Sequence, residues 1–420
     1  MSIRSIQKQK WFTLIMLLGA MVACSHAQVL NGIDVLEQDH FSAFKELAAK
    51  HNDHLRIALM TNHTGLDIHG RRTIDILAKD ATHEVKGFDL VKLFSPEHGI
   101  RGALDQTEIL NDRDQATGLQ VTSLFGATDA QRRPSKEQLA NLDAVVIDLQ
   151  DAGVHFYTYE TVVGYFVEAA AGTNLEVIVL DRPNPINGIA VEGPVSTPGR
   201  EDYINYISEP VRHGMTMGEL ATYFNQVHHF NTRLTVVRMR GWKRAEWFDE
   251  TGLPWTNPSP NLRSLRAAIL YPGLGLLERT NLSVGRGTDT PFEVIGAPWM
   301  DGVKVAAYLN ARKIPGISLI PIRFTPGLNY PFHGELCQGV EFFVTNRDQL
   351  DAPELGIEVA AALVKLYPDT FQLDPVDKLL LNSPVIDAIK QGKDPRSAAA
   401  QGEQDLARFK QGRAAALLYR

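Results

Sequence analysis

Hydrophobic residues in this chain gather into short unbroken runs that end in polar clusters. Four stretches share the plan: Ile57–Met60 before Thr61-Asn62-His63-Thr64-Gly65, Leu93-Phe94 before Ser95-Pro96-Glu97-His98-Gly99-Ile100-Arg101-Gly102, Val145–Ile147 before Asp148-Leu149-Gln150-Asp151-Ala152-Gly153, and Val177–Leu180 before Asp181-Arg182-Pro183-Asn184-Pro185-Ile186-Asn187-Gly188. Runs of this kind predict strands buried on both faces, here 55–60, 88–94, 144–149 and 176–180. Helical spacing fills the intervals: one amphipathic helix within 32–54, a helix beginning at 72–77, a short one over 135–142 opened by Ser135, then 161–171 and 216–226. Strand and helix in alternation predict an α/β, doubly wound, mostly parallel sheet. In such sheets ligands sit beyond the carboxyl ends of the strands, so the polar clusters converge on one site.

The texture turns proline-rich and irregular at Pro254-Trp255-Thr256-Asn257-Pro258-Ser259-Pro260, which divides a Rossmann-like unit, 28–260, from a smaller α/β unit, 261–420. The second unit holds a Gly-rich polar loop over 278–290, a helix at 302–311, strands at 317–324 and 340–345, and a helix at 356–366. Its polar, alanine-seamed tail, 383–418, is expected to pack across that same unit. No Gly-x-Gly-x-x-Gly follows the first strand; the nearest pattern, Gly273-Leu274-Gly275-Leu276-Leu277-Glu278, lacks the third glycine.

The first 27 residues read as a signal peptide, not fold: Arg4, Lys8 and Lys10 precede an apolar run, Trp11–Ala23, too short to span a bilayer comfortably. Cleavage before Cys24 would leave a lipid anchor there; cleavage after Ala27 is the alternative. Either way Cys337 stays single, so it is expected to be a small buried hydrophobe and no disulfide forms. Of 420 residues 44% are hydrophobic and 22% charged, an ordinary globular composition. Processing before Cys24 leaves 39 basic against 49 acidic residues, a formal charge of −10 that gives no support to a nucleic-acid partner. The thirteen histidines form no His-Glu-x-x-His, and no Gly-x-Ser-x-Gly elbow is present, so neither a metal nor a cofactor nor a serine nucleophile is expected.

Read in order, Phe94–Gly102, Asp148–Tyr159, Asp181–Gly188, Val191–Pro194, Arg212–Leu220, Gly241–Arg244, Trp247–Pro254, Asn281–Thr288, Pro291–Glu293 and Gly296–Trp299 resemble the NamZ family of exo-β-N-acetylmuramidases, over nearly everything after Leu55. The resemblance implies an amino-terminal Rossmann-like catalytic domain, a smaller carboxy-terminal domain and a cleft between them. It also implies release of N-acetylmuramic acid from the non-reducing ends of peptidoglycan fragments, in cell-wall turnover. The chain departs from the family pattern at His63, His155, Arg279 and Val284, where Pro, Arg, a small residue and Glu are expected.

Glycoside hydrolysis needs a proton donor to the leaving oxygen and a second group that stabilises or attacks the cationic carbon. Glu97, aimed by Pro96, is the expected donor; the bland alternative is a carboxylate paired with Arg101. Asp148 or Asp151 is the expected second carboxylate, although Asp151 equally suits an Asx-turn before Gly153. Tyr159 is expected to stack on a sugar or stabilise the cation, or else to be a core aromatic. Arg101 and Arg286 are rival readers of the lactyl carboxylate. His98, Asn62, Thr64, Asp181, Asn184, Asn187, Asn281 and, more weakly, Glu192 are expected to bind substrate. The competing readings are a non-catalytic muropeptide-binding lipoprotein, motivated by Arg279 and Val284, and a nucleotide-dependent Rossmann enzyme, disfavoured by the missing glycines.

Overall fold

The computed structural model describes residues 28–420, so the signal segment and Cys24 lie outside the described residues. Each apolar run forms a strand: β1 (Leu55–Thr61), β2 (Phe88–Ser95), β5 (Ala144–Asp148) and β6 (Glu176–Leu180), joined by β3 (Asp112–Arg113), β4 (Gln120–Ser123) and β9 (Arg233–Val237). Their order is β3-β4-β2-β1-β5-β6-β9, parallel throughout except for β3. From β4 to β9 this is the doubly wound order, with the reversal between β1 and β5. Strand β5 is buried along its whole length, which its unbroken Ala-Val-Val-Ile required. Strands β4 and β9 lie toward the sheet's margins, are partly exposed and carry no long apolar run, so the pattern of runs did not mark them.

The single helix expected within 32–54 is two, Gly32–Gln38 and Ser42–Lys50. His40 and Phe41 both adopt left-handed backbone, at φ 51° and 53°, which breaks the helix and buries the Phe41 ring against Phe44. A two-stranded ribbon of β7 (Glu192–Val195) and β8 (Pro210–Arg212) follows β6. The second unit is a three-stranded antiparallel sheet of β10 (Val294–Ala297), β11 (Ile317–Phe324) and β12 (Cys337–Val344), in the order β10-β12-β11, with helices Leu265–Leu274, Gly302–Ala311 and Ala352–Leu366. Cys337 is free and fully buried, and burial pushes its thiol up to about 11.

One hydrophobic core runs through both units, from Ala58 and Val145 to Leu363 and Phe409. The tail does not stay on the second unit. Its helix Glu403–Arg413 meets β7, and the chain then crosses the first unit: the Tyr419 hydroxyl donates to Asp181 at 2.6 Å and the Leu418 N–H to Glu219 at 2.7 Å. Buried polar groups at the β6 end required partners, and residues 413–419 supply them.

Helices Leu265–Leu274 and Ala352–Leu366 cross at Gly273 and Gly356, where a Cβ on Gly273 would stand 2.0 Å from the Ala352 carbonyl oxygen. Gly273→Val is therefore expected to lower stability by roughly 1–3 kcal/mol, the usual cost of overpacking, measured as a lower urea midpoint.

Candidate active site

Strand β2 stops at Ser95, and Pro96 aims the next residue out of the sheet. His98 and Gly99 then take left-handed backbone, at φ 70° and 73°, and His98 Nδ1 meets the Leu104 carbonyl at 2.7 Å, fixing a tight loop beneath Glu97. From the other side comes the helix Tyr159–Ala170, whose cap residue Thr158 donates its hydroxyl to Glu97 Oε2 at 2.7 Å. Glu97 thus stands at the amino-terminal cap of that helix. Among the described residues no cation pairs with it, so the Arg101 alternative is not realised.

A cleft of about 360 Å³ opens over Glu97. Phe156, Tyr157, Tyr159, Tyr203, Tyr271 and Phe292 form its aromatic wall; Tyr157 meets Tyr159 edge-on at 4.7 Å and Tyr271 meets Phe292 at 4.6 Å. Tyr159 is fully buried and held by three contacts: Asn62 Nδ2 donates to its hydroxyl at 2.9 Å, and the hydroxyl reaches the carbonyls of Pro258 at 3.2 Å and Glu97 at 3.3 Å. Burial holds the Tyr159 phenol well above its ordinary range.

The opposite wall comes from the second unit. Arg286, between two left-handed glycines, sends Nη2 to both oxygens of Asp105, at 2.8 and 2.7 Å, and Nη1 to Glu278. Asp105 also accepts from Asn261 at 2.9 Å and from the Tyr330 hydroxyl at 2.7 Å. Burial pushes the Asp105 carboxyl up, but Arg286, Tyr330 and Asn261 outweigh it and leave it below the ordinary value. This clamp fastens the loop after β2 to the Gly-rich loop of the second unit.

Of the residues singled out in the sequence, Glu97, His98, Tyr159 and Arg286 therefore line one cleft. Asn62 does not line it but positions Tyr159, while its Oδ1 accepts from the Thr64 N–H and hydroxyl at 2.9 and 2.6 Å; the Thr64 oxygen in turn accepts from Gln150 N–H at 3.1 Å. Asp148 lies outside the cleft. It is fully buried between Arg182, whose Nε and Nη2 reach its two oxygens at 2.5 and 2.9 Å, and the Thr73 hydroxyl at 2.5 Å. Asp151 makes the Asx-turn to Gly153 N–H at 2.9 Å and faces His213 Nε2 at 3.4 Å.

The loop residues after β6 are likewise committed to the protein. Asp181 accepts from Thr216 at 2.7 Å, Gly218 N–H at 2.9 Å and Tyr419, anchoring the start of the helix Met217–Val227. Asn184 bonds Met215 and Ile186, and Asn187, at φ 64°, accepts from the N–H groups of Ile189 and Ala190. Glu192 pairs with Arg212 at 2.9 Å, Asn281 bridges Thr370 and Gln372, and Arg101 is exposed outside the cleft. Asp181, Asn184, Asn187, Glu192 and Asn281 thus belong to the frame, because short polar side chains at strand ends satisfy backbone groups that no ladder reaches.

Several cleft residues escaped the sequence reading: Thr158, Asp105, Arg132, Tyr203, Asn261, Tyr271 and Glu278. Thr158 stood inside a recognisable motif, whereas nothing local distinguishes Tyr203 or Asp105 from other loop residues.

Behind Tyr157 lies a buried acid cluster of Asp151, Glu160 and Glu209 with His213. The Met215 N–H donates to His213 Nδ1 at 3.1 Å, which leaves Nε2 to carry the proton toward Asp151 and, at 3.8 Å, Glu160. Burial pushes Glu160 and Glu209 above the ordinary 4.5, and the charge of Glu209 pushes Glu160 further. Burial also pushes Asp181 up to about 6 and Asp351 to about 7.

The shape and chemistry of the cleft define a class: an α/β protein whose strand-end pocket sets a carboxylate, without an ion-pair partner among the described residues, beside an aromatic wall suited to a small polar ligand such as a sugar. The chain belongs to the NamZ exo-β-N-acetylmuramidase family. Residues 57–266 match the model for the family's N-terminal part and residues 269–419 the model for its C-terminal part. The peptidoglycan β-N-acetylmuramidase NamZ of Bacillus subtilis (strain 168) is 38% identical over 396 residues, covering 93% of this chain and 92% of the relative. Two crystal structures of DUF1343 family proteins from Bacteroides fragilis NCTC 9343 share the fold. One, 32% identical, superposes with a TM-score of 0.83 and the other, 29% identical, with 0.73; each covers 94% of this chain and 99% of its own.

A carboxyl whose proton affinity is higher folded than unfolded stabilises the fold at low pH, and that stability is lost as pH rises through the folded-state value. The raised carboxyls place this window between about 4 and about 7. The melting temperature is expected to fall from pH 5 to pH 8. Glu209→Gln should flatten the fall and raise stability at pH 8 by on the order of 2 kcal/mol. A variant with the wild-type slope would remove Glu209 from this account.

Proposed function

We propose that this chain is an exo-acting glycoside hydrolase that releases N-acetylmuramic acid from the non-reducing end of peptidoglycan fragments. The observation that carries the reading is Glu97: a carboxylate without a cationic partner among the described residues, inside a cleft sized for a chain end, in a member of the NamZ family. Thr158 engages Oε2, which leaves Oε1 to donate a proton to the glycosidic oxygen. Asp105 and Glu278 are committed to Arg286 and do not compete for that role. The aromatic wall gives the sugar a rigid apolar face. Glu97→Gln is expected to bind saccharide normally and to lose about 10²- to 10⁴-fold in turnover of a chromogenic N-acetylmuraminide. Near wild-type turnover would sink the assignment, and binding without product in the wild type would favour a muropeptide-binding protein.

The reading extends to location. Export with a lipid on Cys24, facing the periplasm, is supported by the basic residues Arg4, Lys8 and Lys10, the apolar run after them, and the extracytoplasmic position of peptidoglycan. Labelled palmitate should enter the wild type, and Cys24→Ala should abolish the label and move the protein to the soluble fraction. An unlabelled wild type would point to cleavage after Ala27.

A further inference from the structure

The feature that separates N-acetylmuramic acid from N-acetylglucosamine is a lactyl ether ending in a carboxylate, and the arginines around the cleft are not equally able to receive it. Arg101 is exposed and outside the cleft. The Arg286 guanidinium is already occupied by Asp105 and Glu278 and lies over the Tyr330 ring, so an incoming anion would meet two carboxylates there.

Arg132 is placed differently. It closes the short helix Asp129–Arg132, whose start is capped by Thr128, and it lines the cleft with Glu97 and Tyr203. Its Nε donates to the Gly126 carbonyl at 2.8 Å, and its guanidinium carbon stands 4.3 Å from the centre of the buried Tyr203 ring. Two contacts thus fix the plane of the guanidinium. Its Nη groups have no polar partner and no ion pair among the described residues. The adjacent Arg133 makes the contrast: it is consumed by Asp129 and Glu168, both at 2.6 Å. Arg279 also lines the cleft without an acid partner among the described residues, but it is exposed and no hydrogen bond there orients it, so it would lose more freedom on binding.

We propose that Arg132 recognises the lactyl carboxylate of the terminal sugar and sets the preference for muramic acid over glucosamine, an inference that rests on the saccharide reading of the cleft. A planar fork with a fixed Nε and two open Nη donors suits a bidentate carboxylate.

Calorimetry with N-acetylmuramic acid, its lactyl methyl ester and N-acetylglucosamine tests this on the full protein. The wild type is expected to bind the free acid tightest, and Arg132→Gln to lose roughly 10- to 100-fold for the acid alone. Arg279→Gln should keep the preference. If Arg132→Gln melts early, Arg132→Lys, which keeps charge but not the fork, should show a partial loss for the acid only. Undiminished preference in the Arg132 variants, loss of preference in Arg279→Gln, or a wild type that binds none of the three sugars would overturn the proposal. Turnover of the chromogenic muraminide separates the two readings. Wild-type activity with an unchanged KM in Arg132→Gln rejects the arginine and keeps the hydrolase, whereas an inactive wild type that still prefers the free acid rejects the hydrolase and keeps the arginine.

Discussion

Where β1 and β5 part at the reversal of strand order, Arg182 reaches back from the end of β6 to grip Asp148 with two nitrogens, while its Nη2 also serves the Leu66 carbonyl at 2.8 Å. Both side chains are almost wholly removed from water. Taking one away would strand the other charge in the interior, a loss of about 3–5 kcal/mol. The pair therefore locks three strand-end loops together. It stands in the crevice where doubly wound sheets ordinarily hold a ligand, and what remains open there, beside Thr64, Gln150 and Arg182, is a cavity of about 40 Å³.

The cleft over Glu97 lies to the side of that crevice, bounded by the β2 loop, the start of the helix Tyr159–Ala170 and the second unit. Neither unit contains the whole of it. Glu97 and Thr158 stand on one side, Glu278 and Arg286 on the other, and Asp105 joins them from the first. Ion pairing and aromatic contact across the seam, backed by one continuous core, make the relative placement of the two walls a property of packing and not of a linker.

The sheet was legible because strands buried on both faces must be largely apolar, as β5, most of β1 and β6 and the Leu93-Phe94 end of β2 are. The partly exposed strands β4 and β9, and the ribbon of β7 and β8, obey no such demand and left no comparable trace. The same physics divided the site. Glu97 and Tyr159 could be singled out because their sequence neighbourhoods constrain them, with Pro96 before one and an aromatic helix start around the other. Asp148, Asp181 and Asn184 look equally chemical in one dimension, yet the polar atoms that occupy them come from Arg182, Thr216, Tyr419 and Met215. Polar residues at strand ends serve ligands and loops alike, and only tertiary partners tell the two apart.

The contact between Tyr419 and Asp181 links positions 238 residues apart in the chain. Until residue 419 has left the ribosome, the carboxyl at the end of β6 lacks one of its partners and the helix Met217–Val227 lacks the strand of tail that covers Glu219. The first unit is encoded first but finished last. The last contacts of the β6 end are therefore made only after the second unit has been synthesised.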